Sequence, residues 1–205
     1  MNAGEGRILV VCAANVCRSP MAELSLRQAF SDAGAGFAGV EVASAGISAM
    51  AEWPVCAEVR DFDGGPGWGE LADAHRSRHL DPDDALGAAL VLAASREIRA
   101  AVVAAAPASR RRVFTLREAA WLGAGYRGDE GPQGAWAVEA FARHIDGRRG
   151  LRPLPAPRRA GLTRRLQDPV DIADAHRSRT GVHRSTVRAV RSAADEIAAL
   201  ITGSR

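Results

Sequence analysis

A strand, a loop and a helix follow one another near the start of this sequence, and they constrain its fold more than any other feature. Residues 7–30 are RILVVCAANVCRSPMAELSLRQAF. The apolar run Ile8–Val11 predicts a buried strand that ends at Cys12. Pro20 is typical of a first helical turn, and the helical pattern continues to Phe30. A strand that leads directly into a helix favours an α/β fold with a parallel sheet.

The remainder of the chain repeats this alternation. Three further apolar runs predict strands, at Val40–Ala43, Ala88–Ala93 and Arg112–Thr115. Further helical patterns lie at Leu71–His75, Arg96–Ala105, Ala135–His144 and Thr186–Ile201. We therefore expect one domain over residues 1–205, with a parallel sheet covered by helices on both faces. Residues 147–167 are rich in proline and arginine and lack periodicity, so they predict a long basic loop.

Composition argues against several classes of partner. The 27 basic residues are all arginine, the net charge is only +3, and alanine and glycine are abundant. This pattern indicates a codon-composition bias and does not indicate a nucleic-acid partner. No apolar run reaches the roughly 18 residues of a membrane span, and no long apolar segment before the first strand predicts a signal peptide. Three cysteines are not typical of a disulfide scaffold, so we expect a cytoplasmic protein without a membrane partner.

The loop after Cys12 has the features of a phosphate-binding loop. It surrounds the N-terminus of a helix, where backbone N–H groups lack intrahelical acceptors and the helix dipole attracts an anion. Two alanines allow close approach of the backbone, Asn15 tolerates a left-handed φ, and Arg18 is able to donate two hydrogen bonds to phosphate oxygens. The predicted phosphate-binding residues are Ala13, Ala14, Asn15, Val16, Cys17, Arg18 and Ser19.

Cys12 is the predicted nucleophile of this loop. A thiol beside an arginine at a helix N-terminus is in an environment that favours the thiolate, which is a strong nucleophile at phosphorus. Ser19 is expected to donate a hydrogen bond to the sulfur and to ease its later departure. A general acid must protonate the leaving oxygen, and Asp168, in the sequence QDPVD, is the best candidate. By loop position alone, three other carboxylates compete: Asp81, Asp129 and Asp171.

Four segments resemble the low-molecular-weight protein tyrosine phosphatase family. They are VCAANVCRSPMAE at the first strand, SAG at Ser44–Gly46, AHRSRHL at Ala74–Leu80 and the Asp-Pro pair at 168–169, in the order expected for that family. The resemblance covers most of the chain. It implies a three-layer, flavodoxin-like fold with a four-stranded parallel sheet and a site at the carboxyl end of the first strand. It also implies a phosphomonoester hydrolase that acts on phosphotyrosine-containing proteins without metal or cofactor.

The resemblance also implies roles for individual residues. Cys12 resembles the nucleophile that forms a cysteinyl-phosphate, and Arg18 resembles the residue that clamps the phosphate. Asp168 resembles the general acid, which later acts as the base for water. Cys17 resembles a second cysteine that is able to form a disulfide with Cys12 and so protect it from further oxidation. The residues that resemble the network bracing the loop are Asn15, Ser19, Ser44 and His75.

The sequence departs from the family pattern around the substrate groove. Val170 and Asp171 follow the Asp-Pro pair, where many relatives have an aromatic residue. After the SAG segment, Met50 or Trp53 is the candidate for a groove wall that is often aromatic. These changes leave the phosphate chemistry intact and affect the expected preference for phosphotyrosine.

Two other functions are compatible with the loop. An arsenate reductase of related fold needs further cysteines in the later half of the chain to relay a disulfide, and no cysteine follows Cys56. A non-enzymatic phosphate-binding or redox-sensing module would keep the loop without efficient turnover, and the altered groove motivates this alternative.

Cysteine and histidine spacing does not predict a metal centre. Cys12, Cys17 and Cys56 lack the CxxC or HxxxH spacing of zinc sites and lack a fourth ligand. We therefore expect no bound metal and a structural role for Cys56. The histidines expected at the surface are His79, His144, His176 and His183.

Overall fold

A four-stranded parallel sheet forms the centre of the fold. The computed structural model describes residues 6–160, 165–175 and 180–204. The strands of the sheet are β1 (Arg7–Cys12), β2 (Glu41–Gly46), β3 (Leu90–Ala93) and β4 (Val113–Thr115). Their order is β2-β1-β3-β4, which is the order of flavodoxin-like sheets. All four predicted strands are confirmed, with shifts at their ends, and so is the predicted fold class.

Parallel pairing brings the carboxyl ends of the strands to one edge of the sheet. Cys12 is paired with Gly46 of β2, and Val11 is paired with Ala93 of β3. The chain leaves β1 toward one side of the sheet and β3 toward the other, so the loops after these strands diverge and leave a crevice between them. The loop that follows Cys12 lies at this crevice.

Helices cover both faces of the sheet. Within the described residues they are α1 (Arg18–Asp32), α2 (Ala57–Arg60), α3 (Trp68–Ala74), α4 (Pro82–Gly87), α5 (Arg96–Ala105), α6 (Leu116–Gly123), α7 (Ala135–Arg148) and α8 (Thr180–Thr202). Ile8 and Val10 of β1 face a core shared with α1, α6, α7 and α8. Leu9 and Val11 face a second core shared with α4 and α5. No described helix is both long and apolar enough to cross a membrane.

Two local predictions need correction. Helix α1 begins at Arg18, so Pro20 is its third residue and not its first. The segment predicted as a loop over 147–167 begins with the end of α7 and contains two short strands, β5 (Arg158–Ala160) and β6 (Arg165–Gln167), which pair antiparallel. The two strands pair through backbone hydrogen bonds, which do not depend on side-chain type. The amino-acid composition of the segment therefore does not reveal that it forms strands. Residues 161–164 lie outside the described residues.

Candidate active site

The loop between β1 and α1 encloses the sulfur of Cys12. The backbone N–H of Asn15 donates to Cys12 Sγ at 3.3 Å, and the Ser19 hydroxyl donates to it at 3.0 Å. Cys12 is 2% exposed. Asn15 has a φ of 56°, which confirms the left-handed conformation that the sequence suggests. Two donors therefore converge on one sulfur at a helix N-terminus, an arrangement that suits a nucleophile attacking as an anion.

The four side chains predicted to brace the loop are brought together in one hydrogen-bond network. The Asn15 amide nitrogen donates to Ser19 Oγ at 2.9 Å and to Ser44 Oγ at 2.8 Å. His75 Nε2 lies 2.9 Å from the carbonyl oxygen of Asn15. Because Asn15, Ser19 and Ser44 are buried, these bonds hold the loop in one conformation without competition from water.

Two further residues belong to this network and were not predicted from the sequence. Ser44 Oγ donates to Glu23 Oε2 at 2.6 Å, and His75 Nδ1 lies 3.7 Å from the same oxygen. The backbone N–H of Arg78 donates to Asn15 Oδ1 at 2.9 Å. Glu23 follows Ser19 by four residues on α1, so helical spacing places it on the face that carries the loop network. That spacing is the signal that would have identified it.

Gly46, the last residue of β2, lies directly against the loop that follows Cys12. A Cβ atom at this position would lie 2.5 Å from the Ala13 carbonyl oxygen and 2.9 Å from the Asn15 nitrogen. Both are backbone atoms of the loop that follows Cys12, which are unable to rotate away as a flexible side chain would. Only glycine therefore fits beside the loop in this geometry.

We expect Gly46→Ala to displace the loop. The substitution should destabilise the protein by about 1–3 kcal/mol and lower kcat/KM for an aryl phosphate by roughly tenfold, since small displacements of a catalytic group are costly. Thermal unfolding and steady-state rates measure both effects. Gly39→Ala is the matched control, because nothing lies within 4 Å of its added Cβ. Indistinguishable melting and rates for the two variants would contradict the close approach.

Arg18 points toward the segment that follows Asp168. Its guanidinium donates to the Ile172 carbonyl at 3.1 Å and to Asp174 Oδ2 at 2.6 Å. The Arg18 side chain is 7% exposed, whereas that of Asp174 is 54% exposed. Sequence reasoning did not select Asp174. Asp174 therefore occupies an Arg18 nitrogen that would otherwise be available to a phosphate.

Asp168 lies over the beginning of α5 and is held there by an arginine. Its carboxylate contacts the Arg96 guanidinium at 2.5 Å and accepts a hydrogen bond from the Val170 N–H at 3.1 Å. The residues that follow are anchored to the sheet, because Thr115 Oγ1 donates to the Val170 carbonyl and the Ile172 N–H donates to the Ala94 carbonyl. This anchoring places the segment after Asp168 at the carboxyl edge, on the side of β3 and β4.

The three competing carboxylates have other partners. Asp81 caps α4 by accepting from the Asp83 N–H, and Asp129 contacts the Arg127 guanidinium at 3.3 Å. Asp171 accepts from the Arg96 N–H at 2.7 Å, so it shares a neighbour with Asp168. Asp174 contacts Arg18 directly and Asp168 belongs to the Asp-Pro pair, so these are the two carboxylates to be compared by experiment.

Cys17 lies in a group with a second cysteine and a histidine. Its sulfur lies 3.0 Å from His183 Nε2, and the sulfur of Cys56 lies 3.4 Å from the same nitrogen. The three ligand atoms all lie within 4.8 Å of one another; we call this group the thiol–imidazole cluster. The hydrogen bond between the two thiols raises the pKa of Cys17, and burial raises it further. The same hydrogen bond lowers the pKa of Cys56 to about 6, assisted by the Val59 backbone and by His183.

This cluster corrects two expectations. A surface position is wrong for His183, which is buried. Cys17 and Cys56 both lie beside its imidazole, a grouping that their sequence spacing does not predict. Helix α8 begins at Thr180 and not at Thr186, and the added turn carries His183 toward the loop. Its spacing of four residues from the buried Val187 placed it on the apolar stripe of α8 and was the available signal. His176 lies outside the described residues.

Comparison with known proteins gives one family. The sequence matches the family model described as low molecular weight phosphotyrosine protein phosphatase over residues 7–124. It is 35% identical over 115 residues to low molecular weight protein-tyrosine-phosphatase Etp of Escherichia coli strain K12, an alignment that covers 56% of this chain and 70% of Etp. The residues matched by the family model include Cys12 and Arg18 and end before Asp168.

Two solved structures have a similar fold. The low molecular weight protein tyrosine phosphatase from T. tengcongensis has a TM-score of 0.62 at 23% identity, over 93% of this chain and 96% of its own. YwlE arginine phosphatase from Geobacillus stearothermophilus has a TM-score of 0.59 at 24% identity, over 94% of this chain and 90% of its own. At these identities the similarity demonstrates a shared fold, and the substrate must be argued from the site.

Proposed function

Because the chain belongs to the low molecular weight phosphotyrosine protein phosphatase family, we propose that it hydrolyses phosphotyrosine in proteins with Cys12 as the nucleophile. The observation that carries this proposal is the convergence of the Asn15 N–H and the Ser19 hydroxyl on Cys12 Sγ. The same loop continues directly into Arg18, so a nucleophile and a phosphate clamp are presented by one turn of chain.

The reaction proceeds in two steps at this loop. The Cys12 thiolate attacks phosphorus, the bond between phosphorus and the phenolic oxygen breaks, and Asp168 gives its proton to that oxygen. Water then attacks the cysteinyl-phosphate, Asp168 takes a proton from the water, and the sulfur leaves as a thiolate. Ser19 stabilises the departing sulfur through its hydrogen bond, and Arg18 binds the phosphate oxygens in both steps.

Substrate binding requires Arg18 to exchange partners. The guanidinium that clamps phosphate in this scheme is bound to Asp174 at 2.6 Å. A phosphate dianion offers more charge and more acceptor oxygens than a carboxylate, so it displaces Asp174 when it enters the loop. Asp168 must likewise leave the Arg96 guanidinium to reach the leaving oxygen.

Two exposed apolar side chains support an aromatic substrate. Met50 and Trp53 are 63% and 52% exposed. They follow the segment whose Ile47 and Ser48 N–H groups donate to the carbonyl oxygens of Cys12 and Ala13. Met50 and Trp53 therefore lie near the rim of the loop, where they offer a surface for the ring of a phosphotyrosine.

The alternatives receive less support. The family model and the Etp relative are phosphatases, so an arsenate reductase is not favoured, and no cysteine follows Cys56 to relay a disulfide. Membership of this enzyme family also argues against a module without turnover.

The test compares three phosphopeptides of the same sequence that carry phosphotyrosine, phosphoserine or phosphoarginine. Rates are measured with EDTA and a reductant present. We expect kcat/KM for phosphotyrosine to exceed that for phosphoserine by at least about tenfold, because the shorter serine side chain does not bring its phosphate to the bottom of the loop. A faster rate on phosphoarginine would contradict the tyrosine preference while leaving the cysteine chemistry in place.

A further inference from the structure

The thiol–imidazole cluster has the donor set and the spacing of a transition-metal site. Zn–S bonds of about 2.3 Å and Zn–N bonds of about 2.0 Å place the ligand atoms of a tetrahedral site about 3.5 Å apart. The two sulfur-to-nitrogen distances are 3.0 and 3.4 Å. We propose that Cys17, Cys56 and His183 bind one Zn²⁺ ion and leave its fourth position open.

The backbone holds the three ligands in place before any ion arrives. Cys17 immediately precedes α1 and is buried. The Cys56 N–H donates to the carbonyl of Val16 at 2.7 Å, which fixes the start of α2 against the loop. His183 is buried in the first turns of α8, and α8 packs along α1. A preorganised site needs only small shifts to close around a metal.

The partial exposure of Cys56 gives an ion access from solvent, and a cleft lies next to Cys56 and His183 along the chain. This cavity of about 430 Å³ is lined by Ala57 and Glu58 of α2 and by Arg184 and Arg188 of α8. Ala57 and Arg184 are the chain neighbours of Cys56 and His183. Cys56 is only partly buried, so it is the ligand that an entering ion reaches first. An accessible route is one of the requirements of a functional metal site.

Zinc binding changes the protonation of the three ligands and leaves the oxidation states of the sulfurs and of the metal unchanged. Cys17 and Cys56 bind as thiolates and release their protons to water, and His183 binds through neutral Nε2. A sulfur that is bound to zinc is not available to form a disulfide. Occupation of the site therefore keeps Cys17 from pairing with Cys12, which is the pairing that the family resemblance implies.

Cobalt titration tests the site directly. Co²⁺ is added to reduced, metal-free protein, and we expect sulfur-to-cobalt charge-transfer bands that saturate at one equivalent and disappear when Zn²⁺ displaces the cobalt. Cys56→Ser and His183→Gln should each weaken binding by more than about 100-fold, since even partners outside the coordination sphere are typically worth 10–100-fold. Protein without these bands would overturn the proposal.

Two controls locate the ion. His144→Gln removes a partly buried histidine far along the chain from the cluster, and Cys12→Ser removes the neighbouring loop sulfur; both variants should retain the bands. Loss of the bands in Cys12→Ser would place the metal on Cys12 instead and overturn the assignment, as would bands that persist in Cys56→Ser. Circular dichroism of each variant establishes that it is folded.

A second measurement needs no variant. Alkylation of Cys56 by N-ethylmaleimide is followed by mass spectrometry of the wild-type protein, with and without Zn²⁺. We expect Zn²⁺ to slow this alkylation at least tenfold and EDTA to restore it. An unchanged rate would overturn the proposal whether or not the substituted proteins fold. Because no turnover is measured, the outcome is independent of the function proposed for Cys12.

Discussion

Hydrolysis of p-nitrophenyl phosphate by the Cys12→Ser protein is expected to fall by more than about 1,000-fold, while phosphate binding is retained. A serine hydroxyl fits the space of the thiol and keeps its two donors, Asn15 and Ser19. It is not ionised near neutral pH and is a far weaker nucleophile than a thiolate. Initial rates at saturating substrate, measured with EDTA and a reductant, give the loss in kcat.

Binding separates a lost nucleophile from a disrupted loop. The phosphate affinity of Cys12→Ser, measured by isothermal titration calorimetry, should lie within a few-fold of the wild-type value because Arg18 and the loop N–H groups remain. Its melting temperature should also be close to that of the wild type. A variant that keeps more than a tenth of the wild-type rate would place the nucleophile elsewhere.

The loop was predictable because its determinants are local. A buried strand, a left-handed asparagine, an arginine and a helix start all fall within Ile8–Pro20, and each imposes a conformation on its neighbours. Ser44 and His75 lie farther away, and only the family resemblance indicated that they belong to the same network. Glu23 and the Arg78 backbone complete that network through contacts that appear once β2 and α3 are in place.

The contacts made by the last part of the chain were not predictable in the same way. Arg18 and Asp174 are separated by 156 residues, and Cys17 and His183 by 166 residues. Hydrophobic periodicity identifies the apolar stripe of α8 but does not specify which residues of α1 it meets. The position of His183 depends on how far α8 extends toward its N-terminus, and helix boundaries are the least certain part of a pattern-based prediction.

Substitution of the general acid is also expected to lower the rate strongly, by an amount that depends on the leaving group. Asp168→Asn should lower kcat/KM for phenyl phosphate by roughly 100-fold, because phenolate is a poor leaving group that must be protonated as it departs. The loss for p-nitrophenyl phosphate should be much smaller, since p-nitrophenolate departs readily without a proton. The ratio of the two losses, measured as kcat/KM, reports proton donation in the first step, because kcat/KM excludes the later hydrolysis of the cysteinyl-phosphate that both substrates share. The ratio is insensitive to a general loss of folded protein.

Two matched variants isolate the carboxylate from its surroundings. Arg96→Gln breaks the same ion pair but leaves Asp168 in place, so it should not reproduce the dependence on the leaving group.

Asp174→Asn removes the carboxylate that contacts Arg18. It should strengthen phosphate binding a few-fold, because the anion no longer has to displace a competing charge. If instead Asp174→Asn shows the leaving-group dependence and Asp168→Asn does not, the acid is Asp174. In that case the proton is donated by Asp174, which contacts Arg18, and not by Asp168 of the Asp-Pro pair.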